Sequence, residues 1–277
     1  MKKLINCRYI VFLVVIAFAF NFTGCKPVDK KKNEGQTVKP LLKKAIEKEV
    51  KDVVYPLPTT FELVSMLNRI GADYILGLSN SSENADKYFT EKARALNLGV
   101  YSADLSYAST YQRKQETMLF LKASKALIDN LEITSAYNET FVKEVENNLD
   151  DKDQLVKVIT NSFYDTYEFL NKNAKGNLSL MVVSGSFIEG LYIATHISEN
   201  TYSNPEIVKV IFDQKVSLDK LLTVLEPEAK DPNIDSLIIE LNGLKLSYDK
   251  IVDGSMTEGQ LKEITASVAK LRDAIVQ

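Results

Sequence analysis

Apolar residues recur three or four positions apart through most of this 277-residue chain, from Thr59 to its end. The segments Thr59–Ile70, Ala85–Leu96, Ser102–Asn130, Glu139–Leu149, Lys152–Asn173, Leu178–Ser198, Pro205–Leu225, Ile234–Val252 and Glu258–Val276 all carry this spacing. It places one stripe of each α-helix against a core. The breaks agree with it. No proline falls between Pro58 and Pro205, and glycine there is limited to Gly71, Gly77, Gly99, Gly176, Gly185 and Gly190. An all-β domain of this size consumes far more of both in its turns. Thr59 with Glu62, and Thr257 with Gln260, read as capping boxes, and Asn204-Pro205 sets a cap before proline at the first helical position. Gly71 and Gly99 stand where helices are expected to stop. The pattern predicts an all-α domain over residues 56–277, built of roughly nine antiparallel helices in one array, with no repeat period that would make it a solenoid.

Ahead of that domain the pattern changes. Ile10–Phe20 is an unbroken apolar run behind Lys2, Lys3 and Arg8. It is too short for the ~20 residues of a membrane-spanning helix and suits the apolar region of an export signal. Residues 25–40 are almost devoid of apolar side chains and read as a flexible tether. Residues 41–55 come next as a short amphipathic helix, with Leu42, Ala45, Ile46, Val50, Val53 and Val54 on one stripe, and the Tyr55-Pro56-Leu57-Pro58 stretch ends it.

The junction between signal and tether is Phe22-Thr23-Gly24-Cys25, which resembles the lipobox of bacterial lipoproteins, with Phe22 in the place of the commoner leucine. That resemblance implies a signal peptide over residues 1–24, acylation of the Cys25 thiol, cleavage before Cys25, and residence on a membrane. The other cysteine, Cys7, lies within the signal, so acylation also accounts for the odd one. Lys26 is not the aspartate that retains lipoproteins at the inner membrane in enteric bacteria, so the resemblance favours the outer membrane. Beyond Cys25 the chain is diffusely similar to uncharacterised helical lipoproteins of Bacteroidota, a likeness that implies no activity.

Charge and composition narrow the function further. Removing residues 1–24 takes three of the 34 basic side chains and none of the 37 acidic ones, so the formal net charge moves from −3 to −6. A mildly acidic chain is no nucleic-acid binder. One histidine and no thiol beyond Cys25 in the mature chain leave no ordinary zinc site. Asn148–Asp153 is acidic but lacks the glycine and terminal glutamate of a calcium loop, and reads as a helix cap. No phosphate-binding glycine loop or nucleophile elbow occurs, and no cofactor is expected.

Two stretches remain unusual. On a helix, Tyr101, Asp104, Tyr107 and Tyr111 share a face that is aromatic and polar together. Leu178–Ser198 is apolar all round, as a central helix would be, yet Glu189, Tyr192 and His196 form a polar stripe along it. A buried carboxylate needs partners, so these seven residues form either a ligand pocket or a satisfied structural network. The corresponding functions are a membrane-anchored, non-catalytic binding or scaffold protein, an enzyme using Glu189 and His196 for acid–base chemistry, or a purely structural envelope protein.

Overall fold

The computed structural model describes residues 60–133, 139–198, 201–252 and 254–277. The expected signal, Cys25, the tether, the 41–55 helix and the Thr59 cap lie outside the described residues. Nine α-helices and no strand occur among the described residues: α1 Thr60–Arg69, α2 Glu91–Thr110, α3 Lys114–Asn130, α4 Glu139–Asn147, α5 Lys152–Lys172, α6 Gly176–His196, α7 Pro205–Leu225, α8 Pro232–Tyr248 and α9 Glu258–Val276. The all-α array expected from the spacing is what forms, but not every neighbour is antiparallel: α2 and α6 pass in the same sense, Leu96 against Gly185 and Asp104 against Glu189.

Its centre is the pair α2 and α6. From Ala95 onward α2 mixes small and apolar residues with Asp104 as its one charge, as α6 does with Glu189 as its one acid, so both can be covered on nearly every side. Helix α6 is long and apolar enough to cross a membrane, but 94% of its apolar window is buried inside this fold. Gly99 and Gly185 are where the two helices touch. A Cβ on Gly99 would lie 2.0 Å from the Val182 carbonyl oxygen, and one on Gly185 would lie 2.0 Å from the Leu96 carbonyl oxygen. Backbone therefore rests on backbone, an approach only glycine permits. Gly190, further along α6, makes the same room for α1: a Cβ there would lie 2.8 Å from Thr60 Cγ2. Thr60 Oγ1 also donates to the Ser186 carbonyl at 2.8 Å.

Gly99 thus does not end a helix. The structure replaces the expected Ala85–Leu96 helix with a 3-10 turn over Ser82–Lys87 and a new start at Glu91, capped by Thr90 Oγ1, which accepts from Ala93 N–H. Helix α2 then runs through Gly99 to Thr110. The expected long Ser102–Asn130 helix is instead broken at Gln112, in the left-handed region with φ +55°. Arg113 N–H donates back to the Ala108 carbonyl at 2.8 Å, the bond that closes a helix end. Glu132 and Ala174 close α3 and α5 the same way, with φ +57° and bonds from Ile133 N–H to Ile128 O and from Lys175 N–H to Leu170 O. None of these three positions holds the glycine that would mark it in sequence.

The remaining helices wrap this pair. Helices α7, α8 and α9 form consecutive hairpins, joined across their seams by Lys215–Asp249, Lys245–Asp219 and Lys250–Glu263. These are surface pairs, screened by solvent and of small net worth, so the hairpins rest on buried residues such as Leu218, Leu241, Tyr248 and Ile264. Asp151 caps α5 by accepting from Gln154 N–H, as the acidic Asn148–Asp153 stretch leads one to expect.

Two glycine substitutions separate close packing from helix propensity. Gly99→Ala should destabilise the fold by about 2–3 kcal/mol, because overpacking displaces a neighbouring backbone. Gly243→Ala, in α8 with nothing within 4 Å of its Cβ position, should stabilise by about 0.5–1 kcal/mol through lost freedom in the unfolded chain. Urea unfolding of both measures the difference, and equal effects would contradict the backbone contact.

Candidate functional site

Between α1 and α2 the chain has little regular structure, and its backbone polar groups need partners. The polar face of α2 supplies them in order. Tyr111 Oη donates to the Ala72 carbonyl at 2.8 Å, Tyr107 Oη accepts from Ile75 N–H at 2.8 Å, Asp104 Oδ2 accepts from Asn80 N–H at 3.1 Å, and Tyr101 Oη donates to the Ser81 carbonyl at 2.7 Å. As the helix is read backwards, the loop is read forwards. Tyr74 of the loop stacks on Tyr107 with ring centroids 4.5 Å apart and leans on Tyr111 at 5.7 Å. Burial pushes the Tyr107 hydroxyl up to about 12 and raises those of Tyr101 and Tyr111 as well, so all three remain neutral.

Asp104 also meets α6. It and Glu189 are fully buried, and their carboxyl groups face each other within hydrogen-bonding reach. Glu189 is ion-paired with Arg272 of α9: Nε donates to Oε2 at 3.0 Å and Nη2 to Oε1 at 3.3 Å. The guanidinium side chain is only 12% exposed. Burial raises both carboxyl pKa values, and the two are then separated by their neighbours. Arg272 opposes the rise for Glu189, whereas the Glu189 charge adds to it for Asp104. Asp104 therefore holds the proton. The Ser79 hydroxyl and Asn80 N–H only partly oppose that rise, and the protonated acid stands opposite the Glu189 carboxylate, which can accept its proton. One proton, one carboxylate and one guanidinium leave the cluster neutral, which is how two buried acids are tolerated.

Tyr192 and His196, half-buried, continue the cluster outward. The guanidinium of Arg272 lies 4.5 Å from the Tyr192 ring centroid, and that ring stacks on His196 at 4.1 Å. His196 Nδ1 lies 2.9 Å from the Tyr192 carbonyl oxygen; a carbonyl only accepts, so this nitrogen carries the proton. Burial lowers the His196 pKa, keeping the ring neutral. The seven residues singled out in the sequence are thus joined through Asp104, Glu189 and Arg272, with Tyr107 and Tyr111 committed to the loop at the far end. Arg272 was not among them. Its signal is position: it stands four residues after Val268 and three before Ile275, at the edge of the buried stripe of α9.

A separate crevice opens on the other side of α2, bounded by α1, α3, α5 and α6. Buried Leu98, Leu105, Ile128 and Val182 line it together with half-buried Phe61, Ser102, Thr160 and Phe163. No charged side chain lines it. Its hydroxyls largely serve the helices themselves: Ser102 Oγ donates to Leu98 O, Ser106 Oγ to Ser102 O and Thr166 Oγ1 to Ser162 O. Thr160 Oγ1 differs, being a buried hydroxyl with no partner. Neither Glu189 nor His196 lines this crevice, and no group of three or more metal-ligating side chains occurs among the described residues. No protein-family model matches the chain, and neither do a curated protein or a solved structure.

The shared proton fixes a pH dependence. Between the ordinary carboxylate range, about 4, and the raised value of folded Asp104, the native state binds a proton that the unfolded chain has lost. Stability from this group is therefore full below about pH 4 and declines as pH rises toward the folded value. Asp104→Asn mimics the protonated acid: its amide nitrogen can donate to Glu189 and its oxygen can accept from Asn80. Urea unfolding from pH 5 to 9 should show the variant gaining on the wild type as pH rises. Parallel curves would mean that Asp104 is ionised in the fold.

Proposed function

We propose that the chain is a lipid-anchored, non-catalytic binding protein of a bacterial envelope, carried by acylated Cys25 on a tether and binding its ligand in the uncharged crevice between α1, α2, α3, α5 and α6. The address rests on the Phe22-Thr23-Gly24-Cys25 sequence. The observation that carries the binding role is the crevice itself: an apolar concavity with few polar groups, the usual character of a small-molecule site, lying apart from every titratable group of the buried cluster. An acid–base enzyme is less well supported. Glu189 is sealed from solvent and held by Arg272, and His196 donates Nδ1–H to its own helix, so neither presents a proton or lone pair to the crevice.

Two acyl signals make membrane residence stable. Cells grown with labelled palmitate should incorporate it into the wild-type chain, which should partition into the detergent phase, and Cys25→Ser should lose both properties. Label or detergent partitioning retained by that variant would contradict the anchor.

A further inference from the structure

We infer that the outward face of α8 docks a second copy of this chain, the two α8 helices lying antiparallel about a two-fold axis that passes between Asn242 and Gly243. Three observations carry it: an aliphatic stripe left exposed, a glycine inside the helix with no neighbour to admit, and charges at the two ends of the stripe that complement each other.

Helix α8 packs between α7 and α9, and Ile234, Leu237, Leu241 and Leu244 are buried there. A helix that is apolar on its far side as well is normally covered on that side too. The far side of α8 carries Ile239, 65% exposed, and Leu246, 66% exposed, two turns apart on one stripe. Gly243 stands between them and is exposed with them. Among the described residues, four glycines lie inside helices, and three of these admit a neighbour: Gly99 and Gly185 where α2 meets α6, and Gly190 at Thr60. Gly243 is the fourth, and nothing lies within 4 Å of its Cβ position. A glycine inside a helix costs stability relative to alanine, and no contact within the chain offsets it here. What it permits on this face is the close approach of a helix from another molecule.

The stripe is complementary to itself. Along it come Asp235, Ile239, Gly243, Leu246 and, two residues past the end of α8, Lys250; both charged residues are exposed. Turned end over end, the same stripe sets Ile239 opposite Leu246 and Asp235 opposite Lys250. The Lys250 ammonium already pairs with Glu263, and its three donors leave room for a second carboxylate. A parallel pair would set Asp235 against Asp235 and Lys250 against Lys250, and like charges suppress that arrangement. The contact is isologous, one patch serving both copies. With 17 residues, α8 is about 25 Å long. One such helix from each copy stands at the low end of the ~1,200–2,000 Å² of a stable complex, so pairing depends on concentration.

The test is disulfide cross-linking of the full chain in the cells that make it, with single cysteines added and the unaltered chain as background. A disulfide needs Cα atoms about 4.4–6.8 Å apart. Asn242→Cys, beside the axis, should link to itself and give a species of twice the chain mass. Ile239→Cys and Leu246→Cys should each stay near background alone, because about 10 Å of helix rise separates like residues across the axis. Produced together, these two variants should link to each other. Thr223→Cys, exposed on α7, should stay at background. Gly243→Arg meets nothing in its own chain but fills the crossing, so adding it should return Asn242→Cys to background. Ile239→Lys, also at an exposed position, should do the same if Gly243→Arg does not fold. Gly243→Ala, which stabilises the separate chain in dilute unfolding, should cut the Asn242→Cys yield at least twofold. The antiparallel pairing is overturned if Asn242→Cys links no better than Thr223→Cys, or if its link survives both blocking variants. It is also overturned if Ile239→Cys links to itself as readily as to Leu246→Cys. A cross-linked species of any other mass assigns the face to a different partner and overturns the second copy.

Discussion

Two helices packed so closely that neither can carry a Cβ at the crossing set the terms for everything around them. Gly99 and Gly185 put the backbones of α2 and α6 in contact, at a helix-propensity cost of about 1 kcal/mol for each glycine relative to alanine. The consequences are geometric. Both helices pass in the same sense, Leu96 against Gly185 and Asp104 against Glu189. The close approach that buries their apolar residues thus buries two acids as well. Burial of unneutralised charge is far more expensive than the glycines are, so the fold has to provide a cation from a third element. Arg272 supplies it, and with it comes the position of α9.

The end of α9 is held by the same centre. Asn97 Nδ2 donates to the Ile275 carbonyl at 2.7 Å, and Tyr88 Oη donates to the Val276 carbonyl at 3.3 Å; these groups would otherwise be left over at a helix C-terminus. Tyr88 is in turn held by Asn80 Nδ2 at 2.9 Å, in the loop that the α2 tyrosines align. Loop, central pair and C-terminal helix therefore form one polar network bonded chiefly among its own members, with Asn97 Oδ1 buried in it without a partner. Bonds turned inward on the fold argue for a structural role. Groups that do chemistry keep a lone pair or a proton turned toward a cavity, and here the open space lies on the opposite side of α2, among hydroxyls and hydrocarbon.

How much of this could be read from the sequence depends on the range of the interaction. Helix type and most ends are local: Pro205 after Asn204 and the Thr257–Gln260 box start helices where expected, and the all-round apolar character of Leu178–Ser198 marked the buried helix. Gly99 was misleading because a glycine that ends a helix and one that lets a neighbour in are the same residue; only the partner helix distinguishes them. Gln112, Glu132 and Ala174 left no trace, since each adopts a left-handed conformation without the residue that favours it. The polar stripes on α2 and α6 were visible as periodicity, and the need for partners came from burial. Arg272, 83 residues from Glu189, was beyond any local pattern. The crevice draws residues from five helices, none with a signal of its own.

The central claim is that the Glu189–Arg272 pair closes a neutral structural network, and a double-mutant cycle tests it most directly. Urea unfolding at neutral pH of Glu189→Gln, Arg272→Met and the double variant separates the pair from its surroundings. Each single change leaves a buried partner uncompensated, at a cost of about 3 kcal/mol or more, and the double should cost well under the sum. Glu189→Gln as stable as the wild type, or more stable, would contradict the account: it would mark Glu189 as a strained group whose stability is given up for function.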